Sequence, residues 1–394
     1  MEHLVERYYK LNRFLLLVTG LWPYQSEWSA RLMRIVNFTI LLVSAFIQIL
    51  IILTSEITME FITSMVPTAL PALGFVPQMY IRIKLVDKIN SLKQLFEHMW
   101  NDWALQKTYD EIKIMHEHAE TTRLWTLYYL SFGYSSLIIY YIWLFMPDIL
   151  DIVLPINESR PQIQLPYFRV EFFIDEEQYF YFTRFLLCII CFVTSLMPLA
   201  CSTLFMVFTQ HVCAMCELLG YRAERLFCII GNMNKCDLFR GKKINYERIT
   251  VFIQLHNSII QFIGIINSYY TITCLMDLIG FILVASITVF QILTIVKIEE
   301  AIRSIVFTIM LLCYMFMLNY MGHKVTNKSS NICEKVYNSV WYDAVVSEQK
   351  LLLLIIRRRF HPLVLTAWFY VFSLPNFSLV LQTVVTYCMF VRQI

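Results

Sequence analysis

Seven stretches of the chain are apolar enough, and long enough, to cross a bilayer as helices: residues 35–53, 61–81, 124–146, 185–208, 269–296, 304–321 and 363–391. Each approaches or exceeds the roughly 20 residues that a spanning helix needs. The pattern predicts an all-α membrane protein. Its parts are a segment 1–34 with a surface helix, spans one to four (35–208), a polar helical region 209–268, spans five and six (269–321), a helix 322–362, and a last span 363–394. The second span carries Pro67, Pro71 and Pro77 and is expected to kink. Short turns join the first span to the second and the fifth to the sixth.

The last stretch is the least ordinary. Residues 363–391 hold 29 positions without a charge. At about 100° per residue, Gln382, Thr383, Thr386, Phe390, Gln393 and Ile394 share one third of the circumference. Phe377, Val380, Leu381, Val384, Cys388 and Val391 occupy the other side. Lipid favours an apolar surface all round, so the polar stripe should face protein or water. Either it is a helix–helix seam joined by Thr and Gln hydrogen bonds, or it is the wall of a pore.

Composition agrees with a membrane protein: 58% hydrophobic and 15% charged, against about 25% charged in soluble domains. A net charge of +3 over 394 residues gives no basis for a nucleic-acid partner. The placement of the cations says more. Segment 1–34 holds five Lys and Arg, and loops 82–123, 209–268 and 322–362 hold seven each. Loop 147–184 holds three against seven acids. The positive-inside rule puts the N-terminus in the cytoplasm and, after seven spans, the C-terminus outside. Asn157, in the sequon Asn157-Glu158-Ser159, is then extracellular and a glycosylation candidate; Asn327-Lys328-Ser329 is cytosolic and unused.

None of the eleven cysteines is then external and outside the membrane, so no disulfide framework is expected. His211, Cys213 and Cys216 lack a second ligand pair and read as ordinary thiols rather than a metal site. No signal peptide is read in the N-terminal segment, whose apolar run 14–18 is short; an amphipathic helix on the membrane surface fits better. Val336, Val340, Val345 and the run 351–356 give the last cytoplasmic stretch apolar positions that one chain offers little to cover, which points to a subunit interface. Arg357, Arg358 and Arg359 read as a headgroup anchor. Asp277 is the one carboxylate in the fifth span. It marks the cytoplasmic lip, since residues 278–296 alone give 19 uncharged positions, or else it draws cations into an inner vestibule. No nucleophile–base–acid set, phosphate loop or metal set is legible, so neither an enzyme nor a cofactor is expected.

Seven spans first suggest a metabotropic G-protein-coupled receptor. The orientation is inverted for that class, no Asp-Arg-Tyr follows the third span, and the seventh lacks Asn-Pro-x-x-Tyr. Absence of a visible internal repeat argues against an inverted-repeat transporter. Other residues carry a different resemblance. Leu21-Trp22-Pro23 resembles the Leu-Trp-Pro of insect odorant receptors. Residues 337–343, Tyr-Asn-Ser-Val-Trp-Tyr-Asp, resemble their Tyr-x-x-x-Trp-Tyr signature, followed by the Leu/Ile-rich run, Pro362 and Leu365. Thr386-Tyr387 with Gln393 resembles the terminal motif shared by odorant and gustatory receptors.

That resemblance implies an odorant-gated, non-selective cation channel in the plasma membrane of olfactory sensory neurons. A tuned subunit assembles with a common co-receptor into a heterotetramer whose seventh helices line the pore. The chain lacks the co-receptor's extra insertion in loop 209–268, which makes it similar to the tuned subunit. Pore residues would be Thr383, Thr386, Phe390, Gln393 and Ile394, although Phe390 and Arg392 stand where the co-receptor has aliphatic residues. The odorant would lie in the outer half, among helices two, three, four and six. The residues there are Val66, Ala69, Leu70 and Leu73; Tyr140 and Trp143; Phe182, Phe185, Leu186 and Ile189; and Val306, Ile309 and Met310. This is an apolar lining with a few polar handles, as a volatile ligand requires.

Overall fold

The computed structural model describes residues 2–54, 56, 58–89, 91–105, 107–154, 176–226, 235–294, 298–357 and 362–393. It is almost wholly helical. In chain order the helices are α1 (Glu2–Tyr8), α2 (Lys10–Thr19), α3 (Glu27–Thr54), α4 (Met59–Ile89), α5 (Ser91–Ala104), α6 (Tyr109–Leu144) and α7 (Met146–Val153). They continue with α8 (Glu176–Glu224), α9 (Lys235–Thr294), α10 (Ile298–Tyr337), α11 (Val346–Arg357) and α12 (Leu374–Gln393). Each expected span coincides with a helix: α3, α4, α6, α8, α9, α10 and, in part, α12. Four helical stretches among the described residues are long and apolar enough to cross a membrane on those grounds alone: Glu27–Thr54, Arg184–Glu224, Glu247–Thr294 and Ser304–Tyr337.

Helices α8, α9 and α10 contain 49, 60 and 40 residues. At 1.5 Å per residue, α9 alone is about 90 Å long, three times a bilayer core. They are longer than a bilayer core requires. Helix α8 packs along α6 and α10, and α9 packs on α4, α10 and α12. The main core among the described residues includes Phe205, Phe208, Phe252, Phe262, Tyr269 and Phe372, with smaller clusters around Leu15 and Ile51.

Four features depart from the sequence reading. The last span does not begin at residue 363: Thr366–Ala367 and Tyr370–Val371 form a two-stranded antiparallel hairpin, and α12 starts only at Leu374. Pro375 stands in its first turn, where the missing N–H costs no intrahelical bond. Trp368 takes a left-handed φ of 57° at the hairpin turn. Asn267 and Asn319 clamp the hairpin. Thr366 N–H donates to Asn267 Oδ1 at 3.1 Å, and Tyr370 O–H donates to Asn319 Oδ1 at 2.8 Å. Such bonds outweigh the helical preference of an uncharged run.

Second, 322–362 is not one helix. Helix α10 runs on to Tyr337, a 3-10 turn follows at Trp341–Asp343, and α11 turns back onto α10. Third, this folding back lets the chain bury Val336, Leu352 and Ile355 by itself, while Val340, Val345, Val346 and Leu354 stay exposed. Fourth, the N-terminal helices lie against protein: Tyr8, Tyr9, Leu15 and Leu16 are buried, and α2 packs on α8. Gly20 ends α2 at φ 71°, where a Cβ would meet the Ala30 carbonyl oxygen at 2.7 Å. Leu21 and Trp22 N–H then donate to Leu16 O at 2.8 and 3.1 Å. The Leu-Trp-Pro motif is thus a buried helix stop, with Trp22 edge-on to Phe96 at 5.1 Å.

Candidate pore helix and ligand cleft

Helix α12 is built to present two faces. Ser373 caps it, accepting from Asn376 N–H at 3.3 Å through Oγ. Val380, Val384 and Cys388 are buried, and Phe377 packs edge-on to Phe316 of α10 at 6.0 Å. The opposite side is exposed: Gln382, Thr383 and Thr386 carry no protein cover. The two threonine hydroxyls donate back to Leu379 O and Gln382 O, each at 2.9 Å. This satisfies their hydrogens and leaves oxygen lone pairs outward. Phe390 is 58% exposed and meets only the Tyr387 ring, edge-on at 6.4 Å, among described aromatic neighbours. The Gln393 side chain and Ile394 fall outside the described residues.

Among the described residues, the ligand-lining positions differ in cover. Ala69 is buried, and Leu70, Leu73, Tyr140, Val306 and Met310 are half-buried. Phe182, Phe185, Leu186, Ile189 and Ile309 are exposed, Phe185 by 62%. The side chains of Val66 and Trp143, and the whole of Asn157, lie outside the described residues. Tyr140 packs on Tyr141, whose O–H donates to Cys188 O at 2.9 Å and ties α6 to α8. Nearby, Arg184 Nη1 stands 3.3 Å from Asp148 Oδ2.

Asp277 is half-buried and stands at the centre of a polar cluster, where Gln78 Nε2 and Tyr314 O–H donate to its two oxygens, each at 2.7 Å. Arg82, which is buried, acts on it electrostatically and lies over the Tyr270 ring at 5.8 Å. The cluster joins α4, α9 and α10. Only Asp277 was singled out in the sequence. Gln78 and Arg82, four apart on α4, were the signal for its partners.

Comparison with known proteins decides the family. A family model described as 7tm odorant receptor matches residues 57–385. The chain belongs to the odorant receptor family. Curated relatives in Drosophila melanogaster include Odorant receptor 22c, 23% identical over 45% of this chain and 44% of that protein. Odorant receptor 10a is 23% identical over 58% of this chain and 54% of that one. The chain thus aligns with about half the length of these relatives. Among solved structures, the insect olfactory receptor OR5 from Machilis hrabei in complex with eugenol superposes with a TM-score of 0.78 at 14% identity, covering 100% of this chain and 99% of that one. The structure of the same receptor described without eugenol gives 0.73 at 13% identity, over 98% of each chain. These two likenesses establish a shared fold.

At the basic end of this odorant receptor, beyond the spans, a second polar system joins α5, α6, α8, α9 and α10. His211 Nε2 lies 3.0 Å from Asp102 Oδ2, and His98 Nδ1 lies 3.4 Å from the same oxygen. Burial works to raise the Asp102 carboxyl, but hydrogen bonds from His211 and His98 outweigh it and hold it down to about 2. Likewise Glu217, opposed by burial but bonded to Lys328 at 2.5 Å and His118 at 3.0 Å, is held down to about 2. Burial pushes the Cys213 thiol up to about 12, keeping it neutral at physiological pH. His211 is committed to Asp102, so the His–Cys–Cys run forms no metal set; none occurs among the described residues.

Ser258 Oγ approaches His98 Nε2 at 3.2 Å, which completes a serine–histidine–aspartate series that the sequence did not reveal. The order imitates a hydrolase, but its surroundings do not. Ser258 lies inside α9, where backbone N–H groups are spent on the helix and leave no amide pair for an oxyanion. His98 is packed on Phe262 at 5.0 Å, and Asp102 is shared with His211. The series is a half-buried link between helices, in keeping with a family of receptors.

Proposed function

We propose that this receptor is the tuned, odorant-binding subunit of a ligand-gated, non-selective cation channel. It works in a heterotetramer with the odorant receptor co-receptor, at the plasma membrane of olfactory sensory neurons. The reading places the N-terminus in the cytoplasm and the acidic loop 147–184 outside. The observation that carries it is the two-sided α12. Its apolar face is covered by α9 and α10, while Gln382, Thr383 and Thr386 are presented outward, toward the space where other subunits would stand.

In this reading the odorant enters the outer-half cleft among α4, α6, α8 and α10. Exposed Phe185, Ile189 and Ile309 offer apolar area there, and Tyr140 and Trp143 offer a donor each. Occupancy favours a state in which α12 swings outward and the pore wets. The ligand shifts that balance only by its affinity difference between the two states. The exposed residues Val340, Val345, Val346 and Leu354 are the basic-end surface left for neighbouring subunits. The test is to express the chain with and without the co-receptor and record odour-evoked current while G-protein signalling is blocked. Current that persists under the block and requires the co-receptor supports the proposal. Current abolished by the block overturns it in favour of a metabotropic receptor.

A further inference from the structure

A cavity of about 570 Å³ lies far from α12, where the Leu21-Trp22-Pro23 turn meets the start of α3, the end of α4 and the start of α5. Its lining is mixed. Arg31, Arg34 and Lys93 bring positive charge, and Arg13 lies over the lining Trp22 ring at 5.9 Å. Glu27 also lines the cavity, and Glu97 approaches Lys93 at 3.9 Å, so the balance stays positive. Ile35 and Phe38 of α3, with Ile83 and Val86 of α4, bring apolar surface to the same lining. Ile35 also belongs to the exposed apolar face of α3, with Val36, Val43 and Phe46.

The level of the cavity relative to a bilayer is marked independently. Trp28 is 76% exposed one turn before Arg31, and Lys84 stands 4.7 Å from the exposed Tyr80 ring. Exposed Trp, Tyr and Lys at span ends mark the water–lipid boundary. A cationic cup at that boundary, open to an apolar helix face, suits a molecule with an anionic head and an acyl tail. A free anion would have no use for the apolar wall.

We infer that this cavity is a binding site for an anionic glycerophospholipid of the cytoplasmic leaflet. Its phosphate is held by Arg31 and Lys93, and its acyl chains lie along α3. The leaflet rests on the orientation proposed above; the site itself does not. Arg34 Nε also donates to Gly20 O at 2.7 Å, so a headgroup in the cup bridges the N-terminal turn to α3 and α5. The lipid thereby fastens the N-terminal helices to the bundle.

The test uses the full chain purified in neutral detergent, with both faces accessible, and phosphatidylinositol 4-phosphate as probe. Native mass spectrometry should show one such lipid per chain, bound at least fivefold better than phosphatidylcholine. The double variant Arg31→Ala/Lys93→Ala should lose that preference. Both side chains lie at the surface, and circular dichroism checks that the variant folds. Arg123→Ala, a surface cation paired with Glu120 on α6, should keep it. No preference in the native chain, or a preference unchanged in the double variant, overturns the site. Inositol 1,4-bisphosphate competing as well as the lipid binds overturns the lipid in favour of a soluble anion. Because micelles have no sides, a wrong topology leaves these outcomes unchanged and is detected by glycosylation mapping instead.

Discussion

Asp277 shows how far a single residue can be read. Its place in an apolar span was visible, but its partners were not, because three of them come from other helices. Gln78, Tyr314 and Arg82 satisfy or balance one half-buried carboxylate. Removing one partner of a buried charge pair costs about 3–5 kcal/mol, whereas removing both charges costs far less. Asp277→Asn and Arg82→Gln should each sharply lower surface expression, and the double substitution should recover part of it. Surface biotinylation measures this. A double variant as poorly expressed as the sum of the singles would show the two residues to act independently. His98 teaches the same limit, since its partners Asp102 and Ser258 meet it from one shared helix and one distant helix. The i, i+4 spacing announces Asp102, but nothing in the sequence announces Ser258.

At the scale of elements, hydropathy fixed what exists and missed where it ends. The run 363–391 has no charge to punctuate it, so the hairpin before α12 was read as helix. Its only sequence marks are Pro362 and Pro375. The close approach that holds the hairpin is at Gly322 of α10, where a Cβ would stand 2.5 Å from the Phe372 carbonyl oxygen. Gly322→Ala should therefore destabilise the seat of α12 by about 1–3 kcal/mol, seen as a lower melting temperature in detergent. Gly280→Ala, in open space on α9, should not destabilise. Equal melting of the two variants would remove Gly322 from the packing argument. The links between elements at the basic end also predict a response to acid. Asp102 is held near 2, below its ordinary value of 3.8. Its contribution is therefore full above about pH 4 and is lost as pH falls toward 2; it is on the order of 2 kcal/mol. Melting temperature should drop over that window, and Asp102→Asn should flatten the drop. A variant that keeps the native pH profile would assign the acid loss to other carboxylates, Glu217 first.

For the whole molecule the open questions are orientation and gate. The acidic loop 147–184 beside basic loops predicts that Asn157 is extracellular and carries glycan, so Asn157→Gln should remove an enzyme-sensitive mobility shift on a gel. Protease protection that put this loop in the cytosol would reverse the topology and remove the channel reading with it. The gate prediction depends on assembly, because one α12 makes a wall and only several make a constriction. Phe390 projects from the exposed side of α12, one turn beyond Thr386, with only Tyr387 beside it among described rings. A large apolar ring on a polar stripe is costly in water unless it meets its like, and apolar constrictions close pores by dewetting. Phe390 is therefore expected to contribute to the closed constriction. Phe390→Ser should raise current without odorant or alter ion permeation, whereas Val384→Ala, on the buried face, should do neither. The competing arrangement has Phe390 packed on a neighbouring helix and aliphatic residues of the co-receptor closing the pore. Phe390→Ser channels that are silent at rest, pass the same ions and respond normally to odorant would establish that arrangement instead.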